Sequence, residues 1–377
     1  MRRAHGVAVL AAALVLVLCT GCTMTRRYTQ ATGTFPGIKS FHEKPSTRVS
    51  LLFIHGMGSF SKPQADGEED PAPTIEYVAR ELHLRKGTPE RHDLTPAWRG
   101  YVVHTPLLGA DGTVAMDAYA LHWKPTTRAL TDALTEADER PPLDRMRPEG
   151  TAKVKAAMND RLGDVALYAG PYQKTIQDTV IKGLLAVERG ATVEPGEKHV
   201  IIPVTWSLGS RVLFDTLGRM HQSHSAELNR LASRIPLVFM LANQIQFLEL
   251  TKQPHVEPTA DGSEPPPVPQ RVVVRDLVAP LTTARAEQNK TTWIVGVTDP
   301  SDLLSWPLPS GDSDANVRLV NAYHSAASTG VWIPGTGKLG NPYSAHTDYG
   351  ADTQVLTWMV YGSDGATVCN PPPKRGY

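Results

Sequence analysis

Two short apolar runs, each ending in a glycine-bearing turn, constrain this chain most tightly. Residues 199–204 read His-Val-Ile-Ile-Pro-Val and lead into Thr205, Trp206, Ser207, Leu208, Gly209 and Ser210. After that turn Val212, Leu213, Leu217 and Met220 recur at helical spacing. Residues 49–54, Val-Ser-Leu-Leu-Phe-Ile, form the second run and stop at His55, Gly56, Met57 and Gly58. Runs that stay apolar instead of alternating belong to strands buried on both faces, which sit in parallel sheets connected by helices.

Further strands are expected at 101–106, 116–123, 236–241, 291–297 and 317–322, and helices at 75–84, 151–168 and 172–188. Alternation of this kind predicts an α/β protein with a mostly parallel central sheet, helices on both faces, and sites at the carboxyl ends of the strands. A chain of 377 residues accommodates one large domain of this class. The expected division is a signal peptide over 1–21, a flexible tether over 22–47, and one domain over 48–377. That domain carries an insertion at about 60–195, whose helices precede the turn at Ser207. The proline-rich stretch 253–270 reads as an exposed loop.

The N-terminus follows a different logic. Arg2 and Arg3 precede an apolar run over 7–18 that is short for a bilayer span and reads as a signal peptide. Its end, Leu18, Cys19, Thr20, Gly21 and Cys22, resembles a bacterial lipobox, with Cys19 where a branched aliphatic is usual. The resemblance implies lipidation at Cys22 and anchorage in the bacterial cell envelope, on the periplasmic face. Thr23 in the following position favours the outer membrane. Cleavage by an ordinary signal peptidase, giving a secreted soluble protein, is the alternative. After processing at Cys22 only Cys369 remains, so no disulfide within the chain is available and the fold rests on its core.

Lys plus Arg and Asp plus Glu each total 38, so no global field draws the chain to nucleic acid, which is set aside as a partner. No closely spaced His and Cys set suggests zinc. The segment 312–316 opens like a calcium loop but lacks its Gly and closing Glu, and the acidic run 66–70 reads as a solvated loop. No metal or other cofactor is implied.

A serine nucleophile needs its Oγ held out of the sheet on a tight strand-to-helix turn with small neighbours, and Ser207 has that position. On local sequence alone the same serine would be an N-cap. Thr205-Trp206-Ser207-Leu208-Gly209 resembles the nucleophile elbow of α/β-hydrolases, Gly-x-Ser-x-Gly, with Thr205 in place of the first glycine. His55-Gly56-Met57-Gly58 resembles the oxyanion loop of lipases and esterases.

The resemblance implies an α/β-hydrolase fold, an oxyanion hole from the amides of Met57 and Leu208, and a triad in the order serine, acid, histidine. Asp302, in Asp302-Leu303-Leu304-Ser305, matches the acid loop, and Asp299 is its rival, with a turn before Pro300 as its alternative role. His346 is the expected base, and His324, at a strand end, its competitor. The implied activity is a serine hydrolase, lipase- or esterase-like, cleaving a small-molecule or lipid acyl ester through an acyl-enzyme on Ser207. An acyltransferase with the same triad and a non-catalytic envelope lipoprotein that binds through this fold are the alternatives. Trp123, Trp206, Trp293 and Trp306 are candidates either for an acyl pocket or for ordinary packing.

Overall fold

The computed structural model describes residues 29–363 apart from 59–70, 95–99, 141–145, 192, 224, 250–273, 287–289, 310–315, 326–329, 334–336 and 341. The expected signal peptide, Cys22, the acidic run, the proline-rich stretch, Cys369 and most of the 312–316 loop lie outside the described residues. Among the described residues no helix is long and apolar enough to cross a membrane.

Apart from a two-stranded antiparallel sheet of Gly330–Ile333 and Gly337–Gly340, the strands among the described residues are β1 (Thr29–Ala31), β2 (Thr47–Ile54), β3 (Arg85–Lys86), β4 (Glu90–Asp93), β5 (Tyr101–Leu108), β6 (Val114–His122), β7 (Lys198–Trp206), β8 (Leu237–Leu241), β9 (Thr292–Thr298) and β10 (Val317–His324). They form one sheet of 10 strands in the order β1-β10-β9-β8-β7-β2-β6-β5-β3, with β4 also on β5. The inner run from β10 to β6 is parallel throughout, and β1, β3, β4 and β5 pair antiparallel at the two edges. This is a mixed α/β protein with a mostly parallel central sheet, as the apolar runs predict.

Besides a short helix at Ile245–Glu249, the α-helices among the described residues are α1 (Lys39–His42), α2 (Ala72–Glu81), α3 (Arg128–Asp138), α4 (Glu149–Ala169), α5 (Gln173–Gly190), α6 (Leu208–Gln222), α7 (Ala226–Ser233), α8 (Val274–Ala286), α9 (Pro342–Thr347) and α10 (Thr353–Tyr361). Because successive strand residues point to opposite faces, each inner strand feeds two cores. Leu52 and Ile54 of β2 join Val180 and Leu184 of α5 and Val212 and Leu213 of α6 on one face. Leu51 and Phe53 join Ile75 and Val78 of α2 and Leu356 and Trp358 of α10 on the other. Burying one such aliphatic or aromatic side chain is worth about 1.5–3 kcal/mol, so both layers are held by the same alternation.

Two expected boundaries are corrected. The tether expected over 22–47 is part of the fold from Thr29 onward: β1 pairs with β10, and Phe35, Ile38 and Phe41 are buried in the second core. A strand of three residues and a helix of four are too short to print a period on the sequence. The region at about 60–195 is not an insertion as a whole, because it contains the sheet strands β5 and β6 and the core helix α5.

Candidate active site

The site is built at the carboxyl end of β7, where the chain turns into α6. Ser207 makes that turn with φ +51° and ψ −121°, a conformation that costs a non-glycine residue on the order of 1–3 kcal/mol. The surroundings hold it there. The Ser207 N–H donates to the Leu241 carbonyl of β8 at 2.7 Å, and the adjoining glycines let backbone pack directly against the turn. A Cβ on Gly209 would lie 2.5 Å from the His55 carbonyl oxygen, and one on Gly56 would lie 2.7 Å from the Ser207 Cβ. Thr205, the departure from small residues, is accommodated because its hydroxyl contacts Ser210 Oγ at 2.8 Å and donates to the Phe239 carbonyl at 3.1 Å.

Ser207 opens α6 without a side-chain capping bond. Its Oγ instead lies 3.1 Å from His346 Nε2, and His346 Nδ1 lies 2.9 and 3.0 Å from the two Asp302 carboxylate oxygens. The three expected residues, from the β7–α6 turn, the loop after β9 and helix α9, are therefore brought into one hydrogen-bonded chain. In a neutral imidazole whose Nδ1–H donates to Asp302, Nε2 is left to accept the serine hydroxyl proton.

The competitors are placed elsewhere. Asp299 accepts the Ser301 N–H at 2.7 Å and so shapes the turn that precedes Asp302. His324 is buried between Thr29 Oγ1 at 2.8 Å and the carboxylate of Asp352, which caps α10 through the amides of Gln354 and Val355. It ties β1 and α10 to the end of β10, and the imidazole that meets Ser207 is that of His346.

Tyr349 is the participant that sequence reading missed. Its hydroxyl donates to Asp302 Oδ2 at 3.0 Å and accepts the Asp299 N–H at 2.7 Å, while Asp302 Oδ1 accepts the Leu304 N–H at 2.9 Å. Burial, and then the Asp302 charge, push the Tyr349 phenol well above its ordinary value, so it remains a donor to the carboxylate. Its spacing of three after His346 is the one available signal, and it places the two side chains one helical turn apart.

The loop at the end of β2 faces this chain. A cavity of about 100 Å³ is lined by His55, Gly56 and Met57 together with Arg161, Trp206, Ser207, His346 and Thr347. Of the four tryptophans singled out, Trp206 alone lines it; Trp123 is buried, donating its indole N–H to the His55 carbonyl at 3.1 Å. Among the described residues, neither the Met57 nor the Leu208 N–H donates to a protein acceptor.

His55 is a brace. Its Nε2 accepts the Trp123 and Lys124 amides at 3.2 and 3.3 Å, its Nδ1 contacts the Gly56 carbonyl at 2.9 Å, and burial lowers its pKa to about 3, so it stays neutral. Gly58, at φ +77°, donates its N–H to Asp164 Oδ2 of α4 at 2.9 Å. Asp164 is buried and is met by Lys124 Nζ at 2.9 Å and Thr127 Oγ1 at 2.8 Å. Burial raises the Asp164 carboxyl above its usual range, against the pull of that ammonium. The loop is thus tied to α4 and to the segment after β6.

No family model matches the chain, and no curated protein matches it.

Proposed function

We propose that this protein is a serine hydrolase of the α/β-hydrolase type that cleaves carboxylic esters, lipase- or esterase-like, through an acyl-enzyme on Ser207. The observation that carries the reading is the chain from Ser207 Oγ through His346 to Asp302, mounted on a strained strand-to-helix turn. A serine hydroxyl is almost wholly protonated at neutral pH, so His346 takes its proton as Oγ attacks the acyl carbon, and Asp302 stabilises the imidazolium. The amides of Met57 and Leu208 receive the developing oxyanion. His346 then returns the proton to the leaving alcohol, and the same base activates water to release the acid. The parallel inner sheet and the carboxyl-end position of the site support the hydrolase scaffold.

The N-terminal pattern supports a lipid anchor at Cys22 in the cell envelope. Seven residues from Cys22 to Thr29 span at most about 25 Å, so the folded body would sit close to the membrane surface that holds it.

Hydrolysis of p-nitrophenyl esters of graded acyl length tests the activity. Ser207→Ala is expected to lower kcat by 10³-fold or more, on the order of the loss that follows removal of a triad member. Ester turnover that survives Ser207→Ala would contradict the reading.

A further inference from the structure

A second cavity, of about 420 Å³, lies at the opposite end of the sheet. It opens beside the first residues of β2 and β7 and the segments entering β8 and β9. Lys198, which begins β7, and Trp206, which ends it, are separated by about 26 Å of strand, so this cavity is distinct from the one at Ser207. Its volume falls in the range of small-molecule sites, about 300–1,000 Å³.

The lining is strongly basic for a chain with no net charge. Lys44, Lys198, Arg234, Arg285 and Lys290 face it, with Glu197 as the one carboxylate among the described lining residues. Arg234 is partly compensated: its Nη2 lies 3.8 Å from Glu188, and its Nη1 lies 3.0 Å from His199 Nδ1. Lys44 Nζ sits over the Phe41 ring, 4.6 Å from its centroid, so an aromatic face accompanies the cations.

Arg285 is the informative residue. Only 6% exposed, it donates through Nη1 to the Ser233 carbonyl at 2.7 Å and through Nη2 to the Thr291 carbonyl at 3.1 Å. Its buried Nε has no hydrogen-bond partner among the described residues. Among the described residues this guanidinium is met only by neutral carbonyls, and a buried charge without a counter-charge is costly unless an anion completes the site. Lys290 is held below the ordinary lysine range by burial and then by repulsion from Arg285 and Lys198, so these three cations share one field.

We propose that this cavity is a binding site for a phosphate-bearing anion, held by Arg285 with Lys44, Lys198 and Lys290. Planar guanidinium and flexible ammonium donors together match the several oxygens of a phosphate group. The anion can be a free phosphate compound or the headgroup of an anionic lipid, and the chemistry of recognition is the same for both.

The test uses the purified full-length chain in neutral detergent, with Lys44→Gln/Lys290→Gln as the double variant and Arg285→Lys as the conservative one. Inorganic pyrophosphate is titrated by calorimetry and by thermal unfolding, and vesicles of phosphatidylcholine with and without phosphatidylglycerol are used in flotation. Pyrophosphate should bind the parent chain and raise its Tm, and the double variant should bind at least tenfold more weakly while its Tm without anion stays unchanged. Arg285→Lys, which keeps the charge and loses the planar donors, should give an intermediate affinity. Phosphatidylglycerol-dependent flotation that the double variant loses, without pyrophosphate binding, assigns the site to a lipid headgroup. Absence of both responses, or responses equal in parent and double variant, overturns the proposal. Ester hydrolysis is not a readout here, so this outcome is independent of the role of Ser207.

Discussion

At the scale of single residues, the account turns on how Asp302 is held. Its carboxylate meets His346, the Leu304 amide and the Tyr349 hydroxyl, and Tyr349 also receives the Asp299 amide. Tyr349→Phe leaves a buried carboxylate oxygen and a buried N–H each short of a partner, a loss of about 1–3 kcal/mol. The expected result is a kcat lowered roughly five- to a hundredfold with KM little changed, measured on the best p-nitrophenyl ester. Ser207, Asp302 and His346 could be singled out in the chain through the resemblance of their motifs to a serine, acid, histidine order, although His346 lies in the last turn of α9 and carries no placement signal of its own. Tyr349 could not be, since its role comes from the approach of two loops whose contacting residues lie 47 positions apart.

At the scale of elements, α4 matters for more than cover. Asp164 is 106 positions from Gly58 in sequence, yet it holds the amide that follows Met57 and is itself balanced by Lys124. Asp164→Ala leaves Lys124 with Asp160 as its carboxylate partner, at 2.7 Å, but takes the acceptor from the Gly58 N–H and the Thr127 hydroxyl, and a buried donor left short of a partner costs about 1–3 kcal/mol. Urea unfolding should show that loss. In Asp164→Asn, which keeps the shape, kcat should fall more than KM changes, because the loop proposed to supply the Met57 amide loses its charged anchor. No spacing rule reports a contact of this range, which is why a segment read as an insertion proves to support the site.

The first element makes the same point about the N-terminus. Removing residues 1–47 takes away β1 and the buried Phe35, Ile38 and Phe41. At about 1.5–3 kcal/mol for each buried side chain, a truncation starting at Arg48 should unfold at markedly lower urea than one starting at Thr29. Equal urea midpoints would restore the tether reading.

At the scale of the whole molecule, buried neutral histidines set an acid limit. Burial lowers His55 to about 3 and His199 to about 4, both below the 6.5 expected in the unfolded chain. Between pH 6.5 and 4 the unfolded chain therefore binds protons that the folded chain refuses, so stability falls as pH falls. The slope is about 1.4 kcal/mol per pH unit for each histidine that stays neutral in the fold. Urea midpoints at pH 7 and pH 5 check the loss, and His199→Gln should flatten it; a pH-independent midpoint contradicts it. The layered α/β plan was legible because the inner strands are apolar on both faces. The antiparallel edges were not, since β3 and β4 are exposed and carry no apolar pattern.

The most direct measurement is labelling of the full-length chain with a fluorophosphonate probe, followed by peptide mass analysis, for the parent, Ser207→Ala and His346→Ala. The account predicts a single modified residue, Ser207, with labelling abolished by the first substitution and strongly reduced by the second. A folded parent chain that never labels, or that labels at another residue, would contradict it.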